Sequence, residues 1–503
     1  MENRPQWGTR AGFILAAVGS AVGLGNIWRF PATAYENGGG AFFLPYLFAL
    51  LTAGIPLLVM EFTLGHKYRG SAPTTFGKVG KGSSWLGWWQ VAIAFVISCY
   101  YPVIIAWASS YSVFAFNQNW GTDTEGFLFG EYLQLAEKPG QFGGLVPGVL
   151  IPLILVWIVT LGVLFAGVKK GIEAANKVFI PVLVIMFTII VIRALTLDGA
   201  AQGLDAFFKP DWSKILDGKV WVAAYGQIFF SLSIAFAIMI TYSSYLPKKS
   251  DITNNAFITG FGNSAFEVLA GIGVFSALGF MAAQQGVPVA EVVSSGVGLA
   301  FVVFPQIINE FPAFNGLFGF LFFGSLILAG LTSLISITET YVAGIQEKFK
   351  VSRTKAVAIG GGLAAVISLI FATKGGLYFL DSVDYFINTF GITLAGFIEV
   401  IAIAWFAKEL KNIQKHANEL SDIQLGTWWR VCLGFITPIV LGYMMFDNLR
   451  TNLTSEYGDY PREFLFNWGW TVAIGAVLVG VLFSVTNKKQ KESTTSNDKG
   501  VSQ

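Results

Sequence analysis

The sequence predicts an all-α membrane protein with twelve transmembrane helices, two of them interrupted in mid-membrane. Of its 503 residues, 54% are hydrophobic and 12% are charged, and the mean hydropathy is +0.62. Apolar runs of about 17–25 residues, the length that a bilayer requires, recur along the chain. Glycines and polar residues break the first and the sixth run. The chain is therefore too apolar for a soluble protein, and the interruptions indicate more than an anchor.

Polar loops separate the twelve apolar segments, and some of them, such as residues 116–146, are long. The segments cover residues 11–35, 41–64, 86–115, 147–167, 174–195, 219–246, 255–282, 316–346, 355–373, 378–407, 429–450 and 464–486. Residues 288–315 contain three prolines, and we expect an extracellular loop with short helices there. The polar composition of residues 488–503 predicts a disordered cytoplasmic tail.

The basic residues fall on alternate loops, which fixes the predicted orientation. By the positive-inside rule, loops that carry residues such as Lys78, Lys170 and Lys248 face the cytoplasm, as do both termini. We therefore expect a multi-pass protein of the cell (plasma) membrane. A net charge of +2, spread over short loops, gives no reason to expect nucleic acid as a partner. The histidines, His66 and His416, are both predicted in loops and give no metal-binding pair.

The first segment carries the strongest indication of a binding site. Gly19, Gly23 and Gly25 allow its helix to unwind, which is tolerated at membrane depth only where the backbone is buried in protein or lines a watery cavity. Gly19 and Gly23 alone are more typical of close helix packing. Packing leaves Asn26 and Arg29 unexplained, and an intramembrane arginine costs at least ~2.5–3.5 kcal/mol. The freed carbonyls are oxygen ligands, which a hard cation such as Na⁺ prefers.

The sixth segment is interrupted in a similar way. Gln227, Ser231 and Ser233 lie in the middle of an otherwise apolar span. Segments one and six are each the first of five, the spacing of a five-plus-five inverted repeat with paired broken helices around a midplane site. We therefore divide the chain into a cytoplasmic N-terminal segment, two repeats, a pair of additional spans and the tail. These divisions are residues 1–10, 11–195, 196–410, 411–487 and 488–503.

Other polar residues also lie in apolar spans. Asn263 and Glu267 are four residues apart and face the same side of the seventh helix. We expect Glu61 to cap backbone N–H groups of a broken helix. Thr332 and Ser333 interrupt the eighth segment, although such hydroxyls also bond back to their own helix.

Two pairs of opposite charge are candidates for gates at the two ends of a central cavity. Arg29 and Asp384 lie near the outer ends of their helices, and Arg4 and Glu347 lie at the cytoplasmic side. The alternative for the outer pair is that each side chain reaches to the membrane interface. Sequence spacing does not show whether either pair meets.

Several ordered motifs resemble those of the neurotransmitter:sodium symporter family (solute carrier family 6), and in particular its bacterial LeuT-type amino-acid transporters. The resemblance covers nearly the whole chain. Its most specific stretches are residues 7–10 (WGTR), 23–31 (GLGNIWRFP), 36–42 (ENGGGAF), 226–233 (GQIFFSLS) and 329–333 (AGLTS). It implies a LeuT-type fold with unwound helices 1 and 6, and sodium-coupled symport rather than enzymatic activity.

The resemblance also implies two Na⁺ sites and a substrate pocket. The first ion would be held by the Ala21 carbonyl, Asn26, Ser231, Asn263 and the substrate's carboxylate. The second would be held by the carbonyls of Gly19, Val22 and Ala329, with Thr332 and Ser333. The pocket would be formed by Ser20, Ala21, Gly23, Gly25, Ile97, Tyr101, Phe230, Ser231, Ser233, Phe236, Ser333 and Ile337. Tyr101 would bond the carboxylate, Phe230 would close over the substrate, and Tyr245 would join Arg4 and Glu347 in the cytoplasmic gate.

Two positions distinguish this chain within the family it resembles. Gly23 stands where monoamine carriers have aspartate, so we expect the substrate to bring its own acidic group. Glu267 stands where chloride-dependent members have serine, close to Tyr46, Gln227 and Ser231. We therefore expect chloride-independent symport, in which Glu267 replaces the chloride charge and binds a proton on the empty return step.

The substrate is left between two chemical classes. Ile97, Phe236 and Ile337 favour a neutral, hydrophobic amino acid, whereas Ser20, Ser233 and Ser336 would suit a small β- or γ-amino acid or taurine. A substrate-sensing receptor or a passive channel on the same scaffold is the remaining alternative, and the sequence assigns no oligomeric state. An intramembrane enzyme has no support, because no Ser-His arrangement or metal-ligand pair is visible.

Overall fold

The computed structural model describes residues 5–497, which form a bundle of twelve spans. Ten spans within this range are helices long and apolar enough to cross a membrane. We number them 2–5 and 7–12 in chain order. They are Gly40–Tyr68, Ser84–Phe114, Pro147–Phe165, Val168–Leu195, Ile252–Gln285, Asn315–Phe349, Arg353–Ala372, Gly376–Phe406, Thr427–Asp459 and Arg462–Thr486.

Span 1 is a broken helix, as the glycines predict. Its halves, Arg10–Ala21 and Leu24–Glu36, meet at an angle of 55°. Thr9 begins the first half by accepting a hydrogen bond from the Gly12 amide at 3.0 Å. The break falls at Val22 and Gly23, whose backbone is extended. The carbonyls on both sides of the break therefore lack regular helical partners.

Span 6 is also interrupted, between Gly218–Ser231 and Ile238–Ser243. Three non-glycine residues of the connecting segment have left-handed backbones: Ser233 with φ 54°, Ala235 with φ 66° and Ala237 with φ 71°. Left-handed backbone costs L-residues about 1–2 kcal/mol each and persists only where the surroundings hold it. The strain marks this segment as part of a site.

The two broken spans lie among the most buried helices. In the most apolar stretch of spans 2, 3, 7 and 8, between 67% and 83% of residues are buried, compared with 22–33% in spans 4, 5 and 12. Exposed apolar side chains such as Ile151, Ile185 and Leu482 cover the outer spans. A surface of this kind suits lipid, so spans 4, 5 and 12 form the outside of the bundle.

We call one end of the bundle the basic end, because Arg10, Arg69, Lys348 and Arg353 gather there. Arg69 donates to the Leu246 carbonyl, which ties the end of span 2 to the link between spans 6 and 7. Lys348 donates to the Phe483 carbonyl at 2.6 Å, which ties span 8 to span 12. The first and last spans thus reach the same end of the molecule.

The fold confirms the predicted twelve spans and differs in detail elsewhere. Residues 288–315 do contain a short helical stretch, Gly296–Glu310. The final helix continues to Asn497, so the expectation of disorder from residue 488 is wrong for residues 488–497. The reason is that the Lys, Gln and Glu residues after Asn487 are good helix formers. Residues 498–503 lie outside the described range.

Candidate functional site

The two helix breaks meet at the Ser20 backbone, next to the break in span 1. The Ser20 carbonyl accepts hydrogen bonds from Ser233 of span 6 at 2.7 Å and from Ser333 of span 8 at 3.3 Å. The Ser20 hydroxyl lies 2.8 Å from that of Ser336. All four serines are buried. Spans 1, 6 and 8 are therefore joined by polar contacts at the centre of the bundle.

A chain of buried amides runs from the break in span 1 to span 6. Asn26 accepts from the Gly23 amide at 2.9 Å and donates to Asn263 of span 7 at 2.8 Å. Asn263 in turn donates to the Ser231 hydroxyl at 2.9 Å. Ala21 is the last residue of the first helical half, beside this chain. The structure thus brings together the residues predicted for the first sodium site.

The residues predicted for the second sodium site lie on spans 1 and 8, which contact each other through Ser333 and the Ser20 carbonyl. Thr332 donates back to the Ala329 carbonyl at 3.0 Å, the helix-bonded arrangement noted as its alternative, which leaves its oxygen lone pairs available. Gly19 and Val22 flank the bend of span 1. A Cβ on Gly19 would lie within 3 Å of the Asn176 and Ile180 side chains of span 5, so span 1 packs closely on span 5 here.

The apolar residues predicted for the substrate pocket are buried inside the bundle. Ile97, Phe236 and Ile337 are 4–6% exposed. A Cβ built on Gly23 would lie 3.2 Å from the Ser333 hydroxyl and 3.4 Å from that of Tyr101. One on Gly25 would overlap the Phe230 ring. The two glycines therefore let aromatic and polar side chains approach the unwound backbone.

The predicted outer gate is not closed by a direct ion pair. Within residues 5–497, Arg29 forms no salt bridge to Asp384; its guanidinium carbon lies 4.5 Å from the centre of the Phe230 ring. Asp384 accepts instead from Tyr100 at 2.6 Å and from Asn388 at 2.8 Å. The two candidate gate residues therefore do not meet in this conformation, because neighbouring groups already contact both charges.

The second predicted gate lies at the basic end of the bundle. Arg4 lies outside the described residues. Glu347 accepts from the Ser71 amide and hydroxyl and from Thr74, with the two hydroxyl contacts at 2.6 Å. Tyr245 donates to Glu339 at 2.7 Å. Tyr245 and Glu347 are therefore placed at this end as predicted.

Sequence reasoning missed an ion pair in the same region. Arg353 donates two parallel hydrogen bonds to the Glu339 carboxylate, at 2.8 and 2.6 Å, and Glu339 is fully buried. Such a fork is among the strongest protein ion pairs. The sequence feature that could have indicated this ion pair is Glu339, a glutamate within an apolar span.

Glu267 lies in a buried polar pocket between spans 2, 6 and 7. Its carboxylate accepts a short hydrogen bond from Tyr46 and another from the Gln227 amide at 2.7 Å. Tyr46 also hydrogen bonds with Ser264 at 2.7 Å. Glu267 is fully buried, and Ser231 lies beside it. The structure therefore brings the predicted chloride-substituting group together with Tyr46, Gln227 and Ser231.

Glu61 confirms the capping role expected of it. Its carboxylate accepts from the Ala235 amide at 2.6 Å, within the strained segment of span 6. Sequence reasoning missed a nearby second carboxylate, Glu399 of span 10, to which Gln90 donates at 2.6 Å. Glu61 thus holds the unwound backbone of span 6 against span 2, and Glu399 and Gln90 join spans 10 and 3.

Two interrupted spans facing each other around buried oxygen ligands define a secondary transporter. The sequence profile of the sodium:neurotransmitter symporter family matches residues 4–129 and 122–491 of this chain. The chain therefore belongs to that family, which consists of transporters and not of enzymes.

The relatives span archaea and animals. The chain is 42% identical over 491 residues to an uncharacterized sodium-dependent transporter of Methanocaldococcus jannaschii, covering 98% of each protein. It is 30% identical to the creatine transporter of Torpedo marmorata, covering 96% of this chain and 86% of that protein. It is 28% identical to human sodium- and chloride-dependent GABA transporter 2, covering 94% and 85%.

A solved structure confirms the fold. The crystal structure of MhsT in complex with L-phenylalanine superimposes with a TM-score of 0.75. The two chains are 34% identical, and the match covers 88% of this chain and 99% of MhsT. The LeuT-type fold predicted from the motifs is therefore the fold of this protein.

Proposed function

We propose that this protein takes up a neutral, hydrophobic amino acid together with two Na⁺ ions by alternating access, independently of chloride. It does so in the cell membrane, with both termini in the cytoplasm. The observation that carries the proposal is the amide chain of Asn26, Asn263 and Ser231 at the point where the two helix breaks meet. Buried oxygens of this kind suit a desolvated sodium ion.

The two ions would use the two groups of oxygens described above. The first would be bound by Ala21, Asn26, Ser231, Asn263 and the substrate carboxylate. The second would be bound by Gly19, Val22, Ala329, Thr332 and Ser333. In the first site, Asn26 now donates to the Asn263 oxygen. A sodium ion in this site would require the Asn26 amide to turn its oxygen toward the ion. Sodium would therefore replace the hydrogen bond between Asn26 and Asn263.

The hydroxyl groups of the pocket support an apolar substrate. Ser20 and Ser336 bond each other, Ser336 donates to the Ser333 carbonyl at 2.7 Å, and Ser233 donates to the Ser20 carbonyl. A polar ligand side chain would have to break these bonds, whereas Ile97, Phe236 and Ile337 present apolar surface. L-Phenylalanine, the molecule in the MhsT complex, is of this class.

The substrate's own carboxylate would complete the first sodium site. Gly23 leaves room at the backbone for that group, and the Tyr101 hydroxyl lies beside it. Without the carboxylate the ion lacks a ligand, and without the ion the carboxylate is an unpaired buried charge. Each therefore raises the affinity for the other by the same factor. Sodium entry adds ~2.3 kcal/mol per net charge per 100 mV of membrane potential.

Glu267 supports chloride independence. Its buried carboxylate already supplies a negative charge to the donors Tyr46 and Gln227, which would otherwise suit a halide. The same carboxylate would bind a proton when the ions have left, since an unpaired buried charge is costly. Rocking of spans 1, 2, 6 and 7 against the others would then expose the empty site to each side in turn.

The test is ligand binding to the purified protein and uptake into proteoliposomes. The twenty amino acids, taurine and γ-aminobutyrate are compared in sodium and potassium, with chloride or gluconate. We expect a hydrophobic amino acid to bind only with sodium, equally in both anions, and to accumulate against its gradient. Binding of taurine or γ-aminobutyrate instead would overturn the substrate class. Sodium-independent binding without accumulation would favour a sensor.

A further inference from the structure

The chain contains only two histidines, and the fold brings them together at the basic end. His66 Nδ1 lies 3.0 Å from His416 Nε2, although 350 positions separate them in sequence. His66 ends span 2, and His416 belongs to the helix Leu410–Asn418 between spans 10 and 11. The expectation that both histidines lie in loops is therefore wrong, because both belong to helices.

The surroundings of His66 restrict where its protons lie. Its Nε2 is 2.9 Å from the Pro247 carbonyl, which only accepts, and 2.9 Å from the Arg69 guanidinium, which only donates. His66 is 4% exposed, whereas His416 is half-buried and reachable by solvent. One proton between the two rings satisfies the contact. When both rings are protonated, each of the two facing nitrogens carries a hydrogen and both rings are positively charged. The rings then repel each other and the contact is lost.

The paired rings connect parts that the proposed transport motion would separate. Lys67 of span 2 lies 3.5 Å from Glu409, which precedes the 410–418 helix. Ser421, just after that helix, accepts from the amides of Ile252 and Thr253 at 3.0 Å each. Residues 409–421, which join spans 10 and 11, are thus tied to the ends of spans 2 and 7, which belong to the rocking bundle.

Charged groups from every neighbouring element face the pair. Burial, with the charges of Lys67 and Arg69, lowers the pKa of His416, although Glu419 acts in the opposite direction. The remaining charged residues around the pair are Glu409, Lys415 and Lys248. Within residues 5–497 no group of three ligating side chains could hold a metal ion, and Arg69 would repel one. The ligand that fits is a proton.

We propose that His66 and His416 form a proton-sensitive latch that holds the helix Leu410–Asn418 on the ends of spans 2 and 7, and that opens when both rings are protonated. The latch is closed at neutral pH and is lost as the pH falls through the second protonation step. Its consequence for transport rests on the proposed function: an open latch removes one restraint on opening of the basic end.

The titration is tested directly by nuclear magnetic resonance. Tag-free protein labelled with ¹⁵N-histidine gives only two imidazole spin systems, because the chain has two histidines. We expect two separate steps, with the second proton bound at least about tenfold more weakly than the first. In His416→Gln, His66 should titrate in a single step. Two rings that titrate independently in the wild type, as they do in each single variant, would overturn the latch.

The movement is tested by distance measurements between spin labels. Labels at the exposed positions Lys249 and Lys411, in Lys249→Cys/Lys411→Cys protein, report on the two sides of the latch; the native cysteines are buried. We expect a narrow distance distribution at pH about 7.5 and a broad one at pH about 4, where the second proton binds. The same labels in His416→Gln should give a narrow distribution at both, because glutamine still accepts from His66. An identical pH response in both proteins would contradict the proposal.

Transport itself distinguishes the latch from the proposed function. The ratio of turnover at pH about 4 to that at pH about 7.5 should be larger in the wild type than in His416→Gln. Comparison of the two proteins cancels any titration at Glu267, which both retain. An absence of sodium-dependent uptake would remove the proposed function, whereas the imidazole titration would still report on the latch.

Discussion

The side-chain amide of Asn26 donates to the side-chain oxygen of Asn263 at 2.8 Å, joining the broken span 1 to span 7. Both residues are buried, so each amide must find partners within the protein. The contact places two oxygen-bearing side chains beside the Ala21–Gly23 break. It is the structural basis for the first prediction.

Asn263→Ala should weaken sodium binding. The substitution removes one ligand of the proposed first site and leaves the others in place. A hydrogen-bonding partner of a charged group contributes about 1.5–3 kcal/mol, so we expect the apparent sodium affinity to fall roughly 10- to 150-fold. Sodium titration of substrate binding measures the effect. Ser276→Ala, which removes from span 7 a buried hydroxyl that has no hydrogen-bond partner in the described residues, is the control. Equal sodium affinities in the two variants would contradict the site.

Gly25→Ala should impair substrate binding more than Gly23→Ala. A methyl group at Gly25 overlaps the Phe230 ring, whereas one at Gly23 lies 3.2 Å from Ser333 and 3.4 Å from Tyr101. Overpacking costs about 1–3 kcal/mol, or about 5- to 150-fold in affinity. Equilibrium binding of the amino acid found in the screen measures both. Gly162→Ala, where nothing lies within 4 Å, should bind as the wild type does. The opposite order of Gly25 and Gly23 would refute this account of the pocket.

Glu267→Ser should make transport depend on chloride. The substitution removes the fixed negative charge and opens space beside Tyr46 and Gln227, both of which can donate to a halide. Uptake by the variant should be lost in gluconate and recovered in chloride, while the wild type transports equally in both. Glu267→Gln removes the charge but not the bulk, and chloride should not restore its activity. Anion-independent uptake by Glu267→Ser would refute the charge-replacement hypothesis.

Glu61→Ala should destabilise the folded protein. The Ala235 amide, to which Glu61 offers an acceptor at 2.6 Å, would be left buried and unpaired. An unsatisfied buried donor costs about 1–3 kcal/mol. Thermal unfolding in detergent, followed by tryptophan fluorescence, should show a lower midpoint. Glu61→Gln keeps an acceptor oxygen and should lose less; an unchanged midpoint for Glu61→Ala would show that the contact does not stabilise the break.

The sequence predicted most of the transmembrane architecture, because span length and apolar composition are local properties. Gly19, Gly23 and Gly25 marked the first break correctly, since glycine removes the side chain that keeps a helix regular. Isolated polar residues in lipid-length runs, such as Asn263 and Glu267, also indicated the site. Burying such groups without partners is costly, so their positions alone imply a common polar centre.

The contacts between distant residues were not predictable in the same way. Glu339 and Arg353 pair across the turn after span 8, and Arg29 lies over Phe230 instead of beside Asp384. Which partner a charged side chain selects depends on the geometry of several helices at once. Arg29 and Asp384 are of opposite charge, but their neighbours already bind both of them in this conformation.

By itself, the sequence determined that this protein crosses the membrane twelve times, breaks its first and sixth spans and carries polar side chains near both breaks. These features follow from hydrophobic length, glycine and the cost of polar groups in lipid. Only the tertiary structure decided which groups touch: Asn26 with Asn263, Glu61 with the Ala235 amide, and His66 with His416 across 350 positions. Such contacts form because packing brings remote helix ends within 3 Å, and no local pattern in the chain encodes that distance.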